Sequence, residues 1–402
     1  MTPSDVGQTF VLCTALAALN ACASQPPAAG AENTIAPPPE PAVVDTPPPA
    51  EAAAPGAKDH QVALSLQPLS AKLRQHFSIG VAVAPEHLTD MAEVITHHFN
   101  RLTAENAMKM GPMCPSPNCD FTDADKIATF ARRHRMPVNG HTFVWHQMNP
   151  DWVFQDGAAD ASTDVLSARL RDHIFTLTAR YADVVDNWDV VNEGISDTAG
   201  KTYRDASEGS RWYGAFGSNE YIRLAFQYAT AAAEAHDPTV KLYYNDYNVV
   251  VPEKRKKIIE MVRWLRAEGV RVDGVGMQAH WNLESPSADA IRSAIDELAA
   301  EKLEVKISEL DVNMYWKDDH GAKVWQPELA LSPELEQRLT ARYVEIFEVL
   351  LEKSALLAHV TLWGVDDGRS WLNEWPTPRE NHPLLFDRDH QPKPALKAIL
   401  AR

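Results

Sequence analysis

The chain has 402 residues, 45% hydrophobic and 8% aromatic, which is enough for a buried core in one large domain or two ordinary ones. Its formal charge of -17, from 55 acidic against 38 basic residues, excludes the basic face that nucleic acid binding requires. One basic run stands out, Lys254-Arg-Lys-Lys257, and it reads as a solvated helix start.

The N-terminus reads as an export segment. Phe10 to Leu19 is an apolar run too short to remain in a membrane as a spanning helix. Leu19-Asn-Ala-Cys22 follows it and resembles a bacterial lipobox, which implies lipidation of Cys22 in the mature protein. The expected basic start is missing, because Met1 to Thr9 holds no Lys or Arg and carries Asp5, so a plain cleaved signal competes with the lipobox. Residues 1–22 are therefore assigned to this segment and 23–60 to a Pro/Ala-rich tether, as in Ala36-Pro-Pro-Pro-Glu-Pro41. Such a stretch buries too little apolar surface to repay the entropy of ordering it. The expected partners are a membrane only through this lipid, and no nucleic acid. The expected state is an exported monomer.

From residue 61 to 402 short apolar runs alternate with amphipathic stretches, the pattern of β/α repeats around a parallel sheet. Strands are predicted at Phe77–Ala84, Phe99–Glu105, Pro137–Phe143, Val184–Asn192, Val240–Asn245, Val272–His280, Leu303–Glu309 and His359–Val365. Eight is the number that closes a (β/α)8, or TIM, barrel. Helices are expected between them, for example over Ile258–Ala267 and Leu339–Leu351, where apolar residues recur at three and four spacing. Within Cys114-Pro-Ser-Pro-Asn-Cys119 an exported protein can form a local disulfide, and the loop has too few soft ligands for zinc. No metal and no cofactor are expected.

Polar residues gather at one end of these strands. Strand two ends in Glu105-Asn106 with Lys109 after it, strand three in His141 followed by Trp145 and His146, and strand five in Asn245-Asp246-Tyr247-Asn248. Strand six ends in Gln278-Ala-His280-Trp281 and strand eight in Trp363-Gly364, while strand four runs into Asn192-Glu193 and strand seven into Glu309. In a parallel barrel that end carries the chemistry, and two carboxylates on separate strand ends are what glycoside hydrolysis needs. Eleven tryptophans suit the flat faces of sugars, although most tryptophan in any protein is packing.

Glu105-Asn106 with Lys109, Gly140-His-Thr-Phe-Val-Trp-His146, Trp188-Asp-Val-Val-Asn-Glu193, Gln278-Ala-His280, Ile307-Ser-Glu-Leu-Asp311 and Trp363-Gly-Val-Asp-Asp-Gly368 together resemble the glycoside hydrolase family 10 xylanases. The resemblance covers most of residues 66–400. It implies a retaining endo-β-1,4-xylanase acting on xylan or xylo-oligosaccharides, with Glu193 as acid/base and Glu309 as nucleophile. His280 is then the donor that keeps Glu309 ionised, with Asp311 on the other imidazole nitrogen, and Asn192 hydrogen-bonds the sugar 2-hydroxyl. Glu105, Asn106, Lys109, His141 and Gln278 are implied to grasp hydroxyls. Trp145, Trp363 and Trp371 are expected to wall a sugar, and Tyr247 to stack on the leaving-group side. His146 reads as a satisfied core histidine. Trp152, Trp212, Trp264 and Trp281 read as packing, and Asp189 either tunes the end of strand four or pairs with a backbone group. A related barrel β-1,4-glucanase is the alternative, with Trp371 and Glu105 as the places where a glucose hydroxymethyl would be admitted or refused. A non-catalytic glycan-binding protein is the third reading, and loss of either glutamate would have favoured it. The polar segment Trp316-Lys-Asp-Asp-His-Gly321 is expected to elaborate the cleft rim.

Overall fold

The computed structural model describes residues 58–315 and 328–402. The export segment with Cys22, the tether up to residue 57 and the Trp316–Gly321 segment lie outside the described residues. Lys58, Asp59 and His60, assigned by sequence to the end of the tether, touch the C-terminal loop. Lys58 donates to the Arg388 carbonyl, Gln391 Nε2 donates to the Asp59 carbonyl at 2.7 Å, and the His60 and His390 rings meet.

Eight parallel strands close a barrel, the expected (β/α)8 fold. They are β1 Ser78–Val83, β2 Arg101–Ala104, β3 Val138–Trp145, β4 Val185–Asn192, β5 Lys241–Asp246, β6 Gly274–Met277, β7 Glu304–Asn313 and β8 Leu357–Leu362. Closure comes from β8, which pairs with β1 through Ile79 and Val360 and with β7 through Ile307 and Val360. Strands of this kind are covered on both faces, so the consecutive residues Ile79, Gly80, Val81, Ala82 and Val83 are all buried. The crossovers are α1 Ala92–His98, α2 Thr122–His134, α3 Thr163–Tyr181, α4 Glu220–His236, α5 Pro252–Ala267, α6 Ala288–Ala300 and α7 Pro333–Glu352, with α8 Pro394–Leu400 after β8. Ser162, Ser287 and Ser332 start α3, α6 and α7 by accepting the backbone N–H three residues on, which satisfies an otherwise orphan donor. Along α7 the residues Leu335, Leu339, Tyr343, Ile346 and Leu350 form the buried stripe that seats the helix on the barrel.

Most strand and helix bounds shift by a few residues from the sequence reading, and the departures at β6, β7 and α5 have consequences for the site. The run Val272–His280 is two pieces, because the chain turns at Gln278-Ala279, where Ala279 takes φ 64°, and His280–Asn282 then pairs separately with β7 from Asp311 to Asn313. That extra pairing extends β7 past Glu309. Helix α5 begins six residues before Ile258, and its basic first turn is only partly solvated: Lys254 and Arg255 are each 2% exposed, whereas Lys256 is exposed. Lys254 sits 3.0 Å from Asp246 and 3.1 Å from Asp197, and Arg255 forks onto Glu297 at 2.7 and 2.8 Å. A sequence window sees the charges but not the acids from β5, the loop after β4 and α6 that pair with them.

The lower barrel interior is polar, where layers of branched apolar residues are usual. Lys306, with no exposed surface, donates to Asn139 at 2.5 Å and Asn187 at 2.8 Å and pairs with Asp189 at 2.7 Å. Its charge, against the effect of burial, holds the Asp189 carboxyl down at about 2. Next to it β3 and β4 approach so closely at Gly140 and Trp188 that a Cβ on Gly140 would lie 2.1 Å from the indole. Only glycine fits there, and the indole it admits stacks on Phe143 at 4.2 Å.

Candidate active site

Glu309 lies on β7, buried, inside a ring of donors. Asn245 Nδ2, from the end of β5, donates to Oε1 at 2.6 Å, and His280 Nε2 stands 3.1 Å from Oε2. The opposite imidazole nitrogen, Nδ1, is 2.9 Å from Asp311 Oδ2, so one carboxylate orients the ring that serves another. Burial by itself would raise the Glu309 carboxyl. The His280 hydrogen bond and the charges of His141, His280 and Lys109 outweigh it and hold the group below the ordinary range. His280 is correspondingly lifted to about 10. Burial disfavours its cation, but Asp311 and Glu309 more than repay that cost, so the ring is an imidazolium at neutral pH.

Glu193 follows β4 with φ 58°, in the left-handed region that costs a non-glycine residue about 1–3 kcal/mol. The position is held from both sides. Its N–H donates to the Asn245 carbonyl at 2.9 Å, and its carbonyl accepts from Arg204 Nε at 3.0 Å. Gln278 Nε2 reaches both Glu193 Oε1 and Asn192 Oδ1 at 3.0 Å, and Asn245 Nδ2 reaches Asn192 Oδ1 at 2.9 Å. Three side-chain amides therefore connect the two glutamates without a break.

The remaining expected residues line the same end of the barrel. Lys109 Nζ donates to Asn106 Oδ1 at 2.9 Å, and Asn106 Nδ2 to Glu105 Oε1 at 3.2 Å. The ammonium lies 4.7 Å from the centre of Trp145 and 5.8 Å from that of Trp363. Burial lowers the Lys109 amine, opposed by Glu309, Glu105 and Glu193, and burial raises the Glu105 carboxyl, opposed chiefly by Lys109. His141 Nδ1 is 2.9 Å from Asp189 Oδ2, so Asp189 pairs with a ring and with Lys306, not with a backbone group in the first instance. Trp371 Nε1 donates to Asp311 Oδ2 at 2.9 Å. Tyr247 is held by another set of partners, its hydroxyl accepting from Arg204 Nη2 at 2.5 Å and its ring 3.9 Å from Lys254 Nζ. Cys114 and Cys119 are joined as a disulfide, and Trp152 Nε1 donates to the Cys114 carbonyl at 2.8 Å. Trp212 is fully buried and Trp281 nearly so. Among the described residues no cluster of His, Cys, Asp and Glu could hold a metal ion.

His146 is not a satisfied core histidine. Its Nδ1 has no hydrogen-bond partner and lies 3.6 Å from Glu193 Oε2. Burial, against the pull of Glu193, drops it to about 4, so it is neutral beside the carboxyl group. Three further residues carry the site without having been given a role from sequence. Asn245 was visible at a strand end, whereas Arg204, in the loop after β4, and Lys254 gave no local signal.

Residues 68–402 match the model of Glycosyl hydrolase family 10. The chain belongs to that family. Among curated family 10 relatives it is 38% identical to an endo-1,4-beta-xylanase of Geobacillus stearothermophilus, over 84% of this chain and 98% of the relative. A solved GH10 structure from Paenibacillus barcinonensis superposes with a TM-score of 0.78 at 34% identity, covering 84% of this chain and 97% of the other. A mutant structure in complex with xylotriose superposes with a TM-score of 0.76 at 36% identity, covering 83% and 99%.

In this family 10 chain the Glu309 and His280 pair makes a testable statement about pH. Rate should fall as Glu309 takes up a proton, and the imidazolium is what keeps that event at low pH. For His280→Ala the acid limb of the kcat/KM profile on an aryl glycoside is therefore expected to move to higher pH. An acid limb that stays in place would remove His280 from this account.

Proposed function

We propose that the protein is a retaining endo-β-1,4-xylanase that cuts xylan internally, with Glu309 as nucleophile and Glu193 as acid/base. The observation that carries the reading is the asymmetry between the two carboxylates. Glu309 faces an imidazolium and an amide and is held ionised, whereas Glu193 faces a neutral His146 and the amides of Gln278 and Asn192. The ionised group suits attack on an anomeric carbon, which leaves the proton-transfer role to Glu193.

In the first step a Glu309 oxygen bonds to the anomeric carbon while the glycosidic C–O bond breaks and Glu193 gives its proton to the departing oxygen. Formation of the ester removes the negative charge of Glu309. Glu193, now a carboxylate, takes a proton from water, and the resulting hydroxide equivalent releases the sugar with its β configuration retained. Asn192, held by Gln278 and Asn245, is placed to bond the 2-hydroxyl as charge develops on the ring. Glu105, Asn106, Lys109 and His141 supply hydroxyl contacts. Trp145, Trp363 and Trp371 wall the sugar, and Tyr247 stacks on the leaving-group side. The relatives' names support xylan as the substrate.

Purified residues 58–402 are expected to release short xylo-oligosaccharides from xylan, with the rate unchanged by a chelator. Faster cleavage of cello-oligosaccharides than of xylo-oligosaccharides of equal length would instead favour a glucanase. Export is part of the same proposal: the apolar run at Phe10 to Leu19 and the motif ending in Cys22 support a lipid anchor. Cys22→Ala should shift the full chain from the membrane fraction to the soluble one, and an unchanged distribution would rule the anchor out.

A further inference from the structure

Trp375 is 53% exposed, more than any other large apolar side chain among the described residues. An aromatic ring left in water contributes little by burial, so its position calls for another account. It lies over Trp371, with ring centres 5.2 Å apart and planes 26° from parallel.

Besides its stack with Trp375, the Trp371 indole has a hydrogen bond to Asp311 and a ring contact with His280. The indole N–H donates to Asp311 Oδ2, the same oxygen that holds His280 Nδ1, and the Trp371 ring meets His280 edge-on with centres 4.8 Å apart. A ring laid parallel over the indole adds a restraint on its tilt to these two contacts. The stack with Trp375 supplies that restraint. An offset aromatic pair of this geometry contributes beyond its buried area.

We propose that Trp375 is a positioning residue: it clamps the Trp371 indole against the sugar subsite beside Glu309, and so sets how strictly that subsite accepts a pentose over a hexose. The inference rests on the xylanase reading above. Xylose carries only hydrogens at C5 where glucose carries a hydroxymethyl group, so a wall held close admits the first and refuses the second. A wall free to swing makes room for both.

The loop does not depend on the Trp375 side chain for its shape. Ser370 Oγ accepts from the Leu372 N–H at 3.3 Å. Asn373 bonds the Asp367 carbonyl at 2.8 Å, the Asn381 N–H at 3.0 Å and Arg388 Nη2 at 2.8 Å. Removing the outer ring should therefore free Trp371 without unravelling the loop.

The test is kcat/KM on an aryl β-xylobioside and an aryl β-cellobioside for the wild type, Trp375→Ala and Trp375→Phe. The xylobioside-to-cellobioside ratio is expected to fall about three- to tenfold in the alanine variant and to return most of the way in the phenylalanine variant, which still stacks. An unchanged ratio in Trp375→Ala, including equal losses on both substrates, overturns the proposal. So does a fall that phenylalanine does not rescue. A wild type that prefers the cellobioside overturns the xylanase reading itself, a result read before either variant is made.

Discussion

Glu309→Ala is expected to lower kcat by on the order of 10⁵-fold or more on every substrate, whatever its leaving group. The reason is that the first bond to form is the one to this oxygen, and no other carboxylate can take its place: Asp311 is turned away, bonded to His280 and Trp371. A good leaving group eases departure but does not supply a nucleophile, so a dinitrophenyl glycoside should fail as fully as xylan. Azide can enter the space that the carboxylate vacates and attack from that face, giving an α-glycosyl azide by a single inversion. Proton NMR of the product reads the configuration directly. A β-glycosyl azide from this variant, or an α-configured first product from the wild type, would show that the roles or the mechanism are misassigned.

Glu193→Ala should behave in the opposite way. On xylan, whose leaving sugar oxygen must be protonated, kcat/KM is expected to drop by about 10²–10⁴-fold. On a dinitrophenyl xylobioside, whose leaving group departs as an anion, glycosylation should survive, and the glycosyl ester on Glu309 should accumulate because no base remains to activate water. Pre-steady-state measurement should then show a burst. Added azide, which needs no base, should restore turnover and give a β-glycosyl azide, since two inversions return the original configuration. Equal losses on xylan and the dinitrophenyl substrate would place Glu193 outside the proton-transfer role.

These two variants differ in effect because the surroundings of the two carboxyl groups differ, and those surroundings divide into what sequence determines and what it does not. Strand count and fold class follow from local pattern, since a buried parallel strand is a short run of β-branched residues and its functional end is where the run gives way to Asn, Glu or His. Glu193 and Glu309 stand out on that rule as a pair of carboxylates, whereas the roles of Lys109, His141 and Trp363 come from the resemblance to family 10. Boundaries fail where a backbone departs from its neighbours, as at Ala279 with its positive φ, because nothing in Gln278-Ala-His280 announces the turn.

Beyond the contacts of His280 with Glu309 and Asp311, the partners were decided by tertiary structure alone. Lys306 meets Asn139 across 167 residues of sequence, and Asn245 meets Glu309 across 64. Lys254 reads as an exposed lysine until β5 and the loop after β4 bring Asp246 and Asp197 to it. His146 reads as core until the register between β3 and β4 sets it beside Glu193. Periodicity is a property of one segment and survives in the sequence, because each strand or helix must present its own apolar face. The charge state of a buried group depends on which groups face it from other segments. That information exists only once barrel closure has fixed every strand's register against its neighbours.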